Sequence, residues 1–593
     1  CSQPGQSSTP TLTPTPTPAP TPTPAPTPAP APAPAPTRTP ALALPLPLPL
    51  TLQVHSARAE LHYALSTGST LVRDSHVEVF EDLSSTSLTA HGTAASSAKT
   101  VRTTTLLLAS STWSFVGQLA PSANLSLIGS TATSSSDPIE TAHLSIDSSS
   151  TLQAADTSNG QLVVNASRAD VAGAVTSGSL TLAAQHLTLS STATVTTPET
   201  LRVTSSALVH SGAISCGSGL LHATTFTIES GGAMTAGPRL QLSGQTLVFA
   251  SSTSEELTCT NIGCTAQLEF DGLVSLRGSA QVTGSSISVR SHHLSLVDQS
   301  SLIASGRGAA AASGPGLGMS ATSNGGGAGA GHGGGGGGGE SSPGPRGSGY
   351  TCYTPNLKMM STALLPVKQS TSLSACQDVC TQASSCLAVV YNRYGQCHLK
   401  SAAGRVEQDD PEHHTISCKR SMDVGAVYGD LLRPATSGSG GGSGKYGSQL
   451  ASGSAGGGVI NLTLTGELSL GSGATIAANG SPGMAGTLQN GGRATNKPLS
   501  GGGGGSGGSV LVVSSSVSGS GQIEATGGDG GARARHYHNE YGTYYDVDRY
   551  GGGGGCGGGG RIAVHTSNVP NFHLTAAGGD ISRGGACAAG TVH

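Results

Sequence analysis

Cysteine is the side chain here most able to do covalent chemistry, and half of the 12 cysteines fall in one short stretch: Cys352, Cys376, Cys380, Cys386, Cys397 and Cys418. Six cysteines in a segment too short to build its own apolar core read as a disulfide framework, with many pairings open in principle. Zinc is the rival chemistry, but paired C-x2-C knuckles are absent. Cys259 and Cys264 are close enough for a local loop bridge, while Cys1 and Cys216 are left to pair within the chain or between subunits. A second chemistry is sugar attachment. The N-x-S/T acceptor pattern occurs at Asn124-Leu125-Ser126, Asn165-Ala166-Ser167 and Asn461-Leu462-Thr463.

Acid–base chemistry is poorly served. Asp147, Asp156, Asp170, Asp271 and Asp298 are scattered singly without a repeated offset, and Glu255-Glu256 is an adjacent pair in an expected loop. The doublets His292-His293 and His413-His414 lack metal-ligand spacing to acids, so no catalytic residue, metal site or cofactor is expected. One stretch has the composition of a contact surface. Between Arg533 and Tyr550 lie Tyr537, Tyr541, Tyr544, Tyr545 and Tyr550, together with Arg535 and Arg549. Tyrosine and arginine concentrate at binding hot spots, so a protein or glycan contact is one reading and an ordered insertion over the flank of the fold the other. Asp546 and Asp548 are too few carboxylates for calcium.

The elements that position these residues are short strands. From about 52 to 312 the chain alternates apolar residues with Ser or Thr, as in Leu125-Ser126-Leu127-Ile128, Leu240-Gln241-Leu242 and Ile287-Ser288-Val289, separated by Gly, Ser, Thr and Asn. This is period-two patterning with Ser and Thr outward, and it suits a sandwich or a coiled solenoid. A repeat decides for the solenoid. Apolar-x-Ala-x-Gly recurs as Leu302-Ile303-Ala304-Ser305-Gly306, Ile476-Ala477-Ala478-Asn479-Gly480, Ile523-Glu524-Ala525-Thr526-Gly527 and Leu574-Thr575-Ala576-Ala577-Gly578, each running into a glycine-rich tract. After the tracts the chain re-enters strands at Val459, Val510 and Ile562. One unit is being reused, with loops ejected at one corner. Cys556 and Cys587 could then staple two successive coils. The pattern resembles the right-handed parallel β-helix of large secreted and cell-surface proteins. The glycine tracts, at 325–339, 440–444, 501–508 and 551–560, are either flexible loops or a bundle of polyglycine II helices, as in certain glycine-rich extracellular receptor domains.

The cysteine-rich segment changes texture. Cys376 and Cys380 stand at i and i+4 of an expected helix, followed by an apolar strand, Leu387-Ala388-Val389-Val390-Tyr391, and by Gln396-Cys397-His398-Leu399-Lys400. This order resembles the PAN/Apple family, a helix packed on an antiparallel sheet. The resemblance implies the pairs Cys376 with Cys397, Cys380 with Cys386 and Cys352 with Cys418, a protein- or carbohydrate-binding role, and no catalysis.

Residues 10–49 form an almost unbroken X-Pro alternation that includes Pro14, Pro16, Pro18 and Pro20. Proline at every second position excludes helix and central strand and leaves polyproline II. The segment resembles the hydroxyproline-rich glycoproteins of algal and plant cell walls, which implies O-linked sugar on those prolines; a bare secreted linker is the alternative.

Charged residues are 10% and aromatic residues 3%, against Gly 89 and Pro 32, which argues against a conventional cytosolic enzyme. A formal net charge of -4 without a basic patch makes nucleic acid and anionic membrane poor partners, and no apolar run is long enough for a transmembrane segment. A chain starting at Cys1 fits a processed secretory product or a fragment. The expected organisation is a polyproline II arm (1–51), a β-helix body (52–312), a Gly-rich loop (313–350), a PAN/Apple domain (351–420) and a Gly-rich β-helix continuation (421–593). Function follows as a secreted, glycosylated structural or adhesive protein of a cell wall, matrix or surface filament. Its expected partners are itself and extracellular glycans or matrix proteins. The alternatives are a PAN-mediated binding protein and a β-helix polysaccharide-degrading enzyme.

Overall fold

The computed structural model describes most of residues 51–593. Outside the described residues lie 1–50, most of 353–387, 401–404, 409–415, 421–424, the stretches 322–325, 340–349, 487–499, 533–536 and 539–552 (Tyr544 and Tyr545 excepted), and some shorter gaps.

The body is a parallel β-solenoid in which 32 strands join one continuous sheet. Most strands alternate, as Thr265–Phe270 does with Ala266, Leu268 and Phe270 buried, so along the straight stretches each coil sends apolar residues inward and polar ones outward. Successive coils stack in register. One column runs through Ser286–Ser291, Val459–Leu464, Ser509–Val513 and Arg561–His565, and a second through His293–Leu296, Glu467–Leu470 and Ser516–Gly519. A third runs through Ser301–Ile303, Thr475–Ala477, Gln522–Glu524 and His573–Thr575. The apolar-x-Ala-x-Gly phrases are this third column: Leu302, Ile476, Ile523 and Leu574 lie directly over one another, the first three fully buried. No single coil can bury its own apolar face, so the stack supplies the core collectively.

At several bends between columns a buried hydroxyl satisfies the carbonyl two residues on. Ser85 donates to the Ser87 carbonyl (2.6 Å), Thr103 to Thr105 (2.8 Å), Thr141 to His143 (3.1 Å), Ser205 to Ala207 (2.7 Å) and Ser291 to His293 (3.1 Å). Ser and Thr were expected outward; here they turn inward because a buried carbonyl needs a donor more than the hydroxyl needs water. At other coils Ala166, Ala184 and Ala223 stand at the bend, without a side-chain donor.

The tracts expected to leave one corner do so, and they pack into a second layer. Residues 501–508 are buried throughout and lie at its centre. Their N–H groups serve three neighbours in rotation: Gly502 and Gly505 donate to Met484 and Ser481, Gly503 and Ser506 to Gly442 and Ser439, Gly504 and Gly507 to Gly555 and Gly558, at 2.8–3.0 Å. Their carbonyls accept from three others. Gly501 and Gly504 take bonds from Gly327 and Ala330, Gly502 and Gly505 from Gly531 and Gly528, Gly503 and Ser506 from Ser454 and Gly457. A three-residue repeat in both donors and acceptors is that of a helix with three residues per turn. Residues 313–321 and 326–339, within the stretch expected as a Gly-rich loop, belong to this layer: their backbone finds hydrogen-bond partners there that solvent would otherwise have to supply. Among the described residues no helix is long and apolar enough to cross a membrane.

Candidate functional site

The cysteine-rich segment folds around a five-stranded antiparallel sheet. Ala388–Tyr391 lies between Gln396–Lys400 and Ile416–Arg420, Tyr350–Cys352 pairs outside Ile416–Arg420, and Lys368–Gln369 pairs outside Gln396–Lys400. Cys376, helical and buried, is bonded to Cys397 with a Cα separation of 5.6 Å. Cys352 stands opposite Cys418 in the strand register. Cys380 and Cys386, and all of the expected helix except Cys376, lie outside the described residues. Val389, Val390 and Leu399 are buried, and Asn392 closes the turn by accepting from the N–H groups of Tyr394 and Gln396. Tyr394 is exposed at that turn.

On the solenoid flank a trough of about 870 Å³ follows the bend between two columns. One wall is the stacked row Glu140, Asn165, Ala183, Thr204 and His222; the facing wall is Ala142, Ser167, Gln185, Ser206 and Thr224, and His143, Arg168, His186, Ala207 and Thr225 form the stacked row that follows it in the chain. Its floor includes Ala166 and Ala184, two of the bends that lack a hydroxyl. On the strands that follow this bend, Asp170 accepts from Arg168 (2.7 Å) and hydrogen-bonds the His143 ring (2.9 Å). Burial pushes this carboxyl up, but the bonds from Arg168 and His143 outweigh it, and its pKa lies below the ordinary carboxylate value. Asp170, an isolated acid in the sequence, thus joins Arg168 of its own strand to His143 of the neighbouring coil. The missed signal was coil length, without which His143 and Arg168 cannot be aligned.

A second polar cluster lies where the glycine layer meets the strands. His332 is fully buried, bonds the Thr436 hydroxyl through Nε2 (2.9 Å) and packs on the Tyr428 ring. Arg561 donates to the Tyr428 carbonyl (3.0 Å), and Tyr428 in turn donates to Ser437 (2.6 Å). Burial and then the Arg561 charge lower His332 to about 4, and burial raises Tyr428 to about 12. Both are therefore neutral across the physiological range, and the cluster is held by hydrogen bonds rather than charge.

Asn124 is exposed beside His143 and outside the trough, Asn165 lines the trough, and Asn461 sits mid-column between Ser288 and Leu511 with its side-chain oxygen buried. Cys259–Cys264 and Cys556–Cys587 are disulfides; the second ties residues of the glycine layer. Cys216, left by the sequence to pair with Cys1 or between subunits, is buried in the core and bonded to no other described cysteine, while Cys1 lies outside the described residues. Burial raises its pKa to about 11. In the tyrosine-rich stretch Tyr537–His538 pairs antiparallel with Tyr544–Tyr545, while Tyr541, Arg549 and Tyr550 lie outside the described residues. So do Pro14, Pro16, Pro18 and Pro20. His292 and His293 are engaged singly, by Thr465 and by the Glu467 N–H, and no group of three candidate metal ligands occurs among the described residues.

Residues 352–423 match the PAN domain family. No curated protein and no solved structure matches the chain.

Proposed function

We propose that this chain is a secreted, glycosylated structural or adhesive protein in which the solenoid and glycine layer form a stiff carrier for a binding module of PAN type. One observation carries this reading. Leu302 stacks on Ile476, and Leu294 on Leu468, although the whole PAN segment intervenes in sequence. The module is thus inserted without interrupting a single strand column, as expected of displayed cargo. The glycine layer, which we read as a polyglycine II bundle, gives the excursion a rigid base. Disulfides and a PAN module fit an oxidising, extracellular setting. Asp170, the carboxylate beside the trough, is paired with Arg168 and hydrogen-bonded to His143 rather than poised for proton transfer, which supports binding over catalysis.

The PAN segment is expected to fold by itself, because three bridges would replace the core that so short a chain cannot build. Residues 350–423 produced under oxidising conditions should give one disulfide isomer, with Cys376–Cys397, Cys352–Cys418 and Cys380–Cys386. Free thiols or other pairings by peptide mapping would remove the framework. Assembly is the second test. The X-Pro arm, at ~3.1 Å per residue in polyproline II, could reach on the order of 100 Å into a neighbour. Electron microscopy of native protein should show regular fibres that disappear on deletion of residues 1–50; monodisperse particles that cleave a polysaccharide would instead favour the enzyme.

A further inference from the structure

We propose that Asn165 carries an N-linked glycan whose first sugars are seated in the solenoid trough rather than projecting into solvent. The inference rests on the secretory reading above, and its observations are geometric. Asn165 opens the acceptor sequence Asn165-Ala166-Ser167 and lines the trough itself. Stacked coils lie ~4.8 Å apart, so a chain leaving Asn165 along the axis meets Ala183, Thr204 and His222 in turn. Two features fit a sugar there. Small residues at Ala166, Ala183 and Ala184 leave the volume open beside the acceptor, and hydroxyl and imidazole groups on Thr204, Ser206 and His222 offer donors and acceptors along its length. Ser167 and Gln185, exposed on the facing wall, flank the same path.

Asn124 supplies an internal comparison. It lies two coils from Arg168 in the same row, ~10 Å along the axis, exposed and outside the trough. A glycan at Asn124 stands free; one at Asn165 is walled on both sides. The seat would also mean that this trough is occupied by the chain's own sugar and closed to an external polysaccharide.

The test is secretion of the full chain from a eukaryotic host behind a supplied leader, followed by glycopeptide mass spectrometry and a time course of peptide N-glycosidase digestion of the folded protein. Both Asn124 and Asn165 should be occupied, and the Asn165 glycan should be released at least ~10-fold more slowly until the protein is unfolded, since a glycan held in the folded state is cleaved only through local opening. Ser167→Ala should remove the modification at Asn165 alone. Ala183→Tyr, which fills the trough, should leave occupancy unchanged and bring the Asn165 release rate to that of Asn124. An unmodified Asn165 beside a modified Asn124, or equal native release rates, overturns the seat. Native material without sugar at either asparagine would count against secretion in the source organism, while slow release in the host would still support the seat.

Discussion

Gly504→Ala should destabilise the folded chain by about 3 kcal/mol or more, near the top of what overpacking one methyl group costs, because the added carbon has nowhere to go. A Cβ built at Gly504 lies 2.1 Å from the Gly528 carbonyl oxygen, and its neighbours Gly503 and Gly505 meet Ala328 and Ala455 carbonyls at 2.0 Å. These obstacles are backbone, not flexible side-chain ends. None of these three glycines has a positive φ, so close approach and not conformation demands glycine. Relief requires segments to separate by about an ångström, which breaks bonds such as Gly504 to Gly555 and Gly528 to Gly505 and strands buried amides. Alanine's lower unfolded-state entropy offsets only about 0.4–1 kcal/mol. Ala577→Ser, in the same layer but exposed, should stay within about 0.5 kcal/mol of the parent. Denaturant midpoints and amide exchange across 500–508 provide the measurement. A Gly504→Ala protein as stable as the parent would mean that the layer is loose in solution.

Acid should weaken the fold well above the carboxylate range. His210 is buried beneath a strand, with Nε2 donating to the Ala233 carbonyl at 3.2 Å, and burial lowers its pKa to about 4; His332 is lowered to about 4 as well. Unfolded histidine titrates near ~6.5, so between that value and about 4 the unfolded chain binds protons that the folded chain refuses. The stability due to keeping each ring neutral is therefore intact above ~6.5 and falls as pH drops. Linkage puts the loss at about 2 kcal/mol per histidine at pH 5 and about 3 well below pH 4. His210→Gln should flatten roughly half of this slope between pH 6.5 and 4.5, after any constant cost of the substitution. If His332 variants do not fold, its ring titration can be followed by NMR in the parent chain. A ring that titrates near 6.5 in the folded protein would refute the account. Asp156, Asp430 and Asp147 add to the acid loss only at lower pH, since their carboxyls already lie below the ordinary value.

Much of the second half was legible because its repeat is written in residue types. An apolar residue, an alanine and a glycine at fixed offsets report a strand that ends at a corner where only small residues fit, and the structure stacks those phrases in one column. The cysteine order likewise carried the PAN segment. The first half was harder. Its coils turn one corner at Asp74, Gly92, Ser110 and Gly129, all with positive φ, but two of the four are not glycine, so no motif marks the period. With the period hidden, the sequence could not align His143 with Arg168, or place Asn165 and His222 along one trough.

Period-two alternation, the Ala-Gly corners and the cysteine spacing are local properties, and each constrains its own few residues through backbone geometry or covalent reach. From them the sequence by itself determined a stacked-strand body with an inserted disulfide module. Which hydroxyls turn inward at the bends, which glycines touch six neighbouring segments, and which acid meets which base depend on register between coils far apart in the chain. Burial and backbone hydrogen bonding set that register over the whole stack at once, so only the tertiary structure decided them.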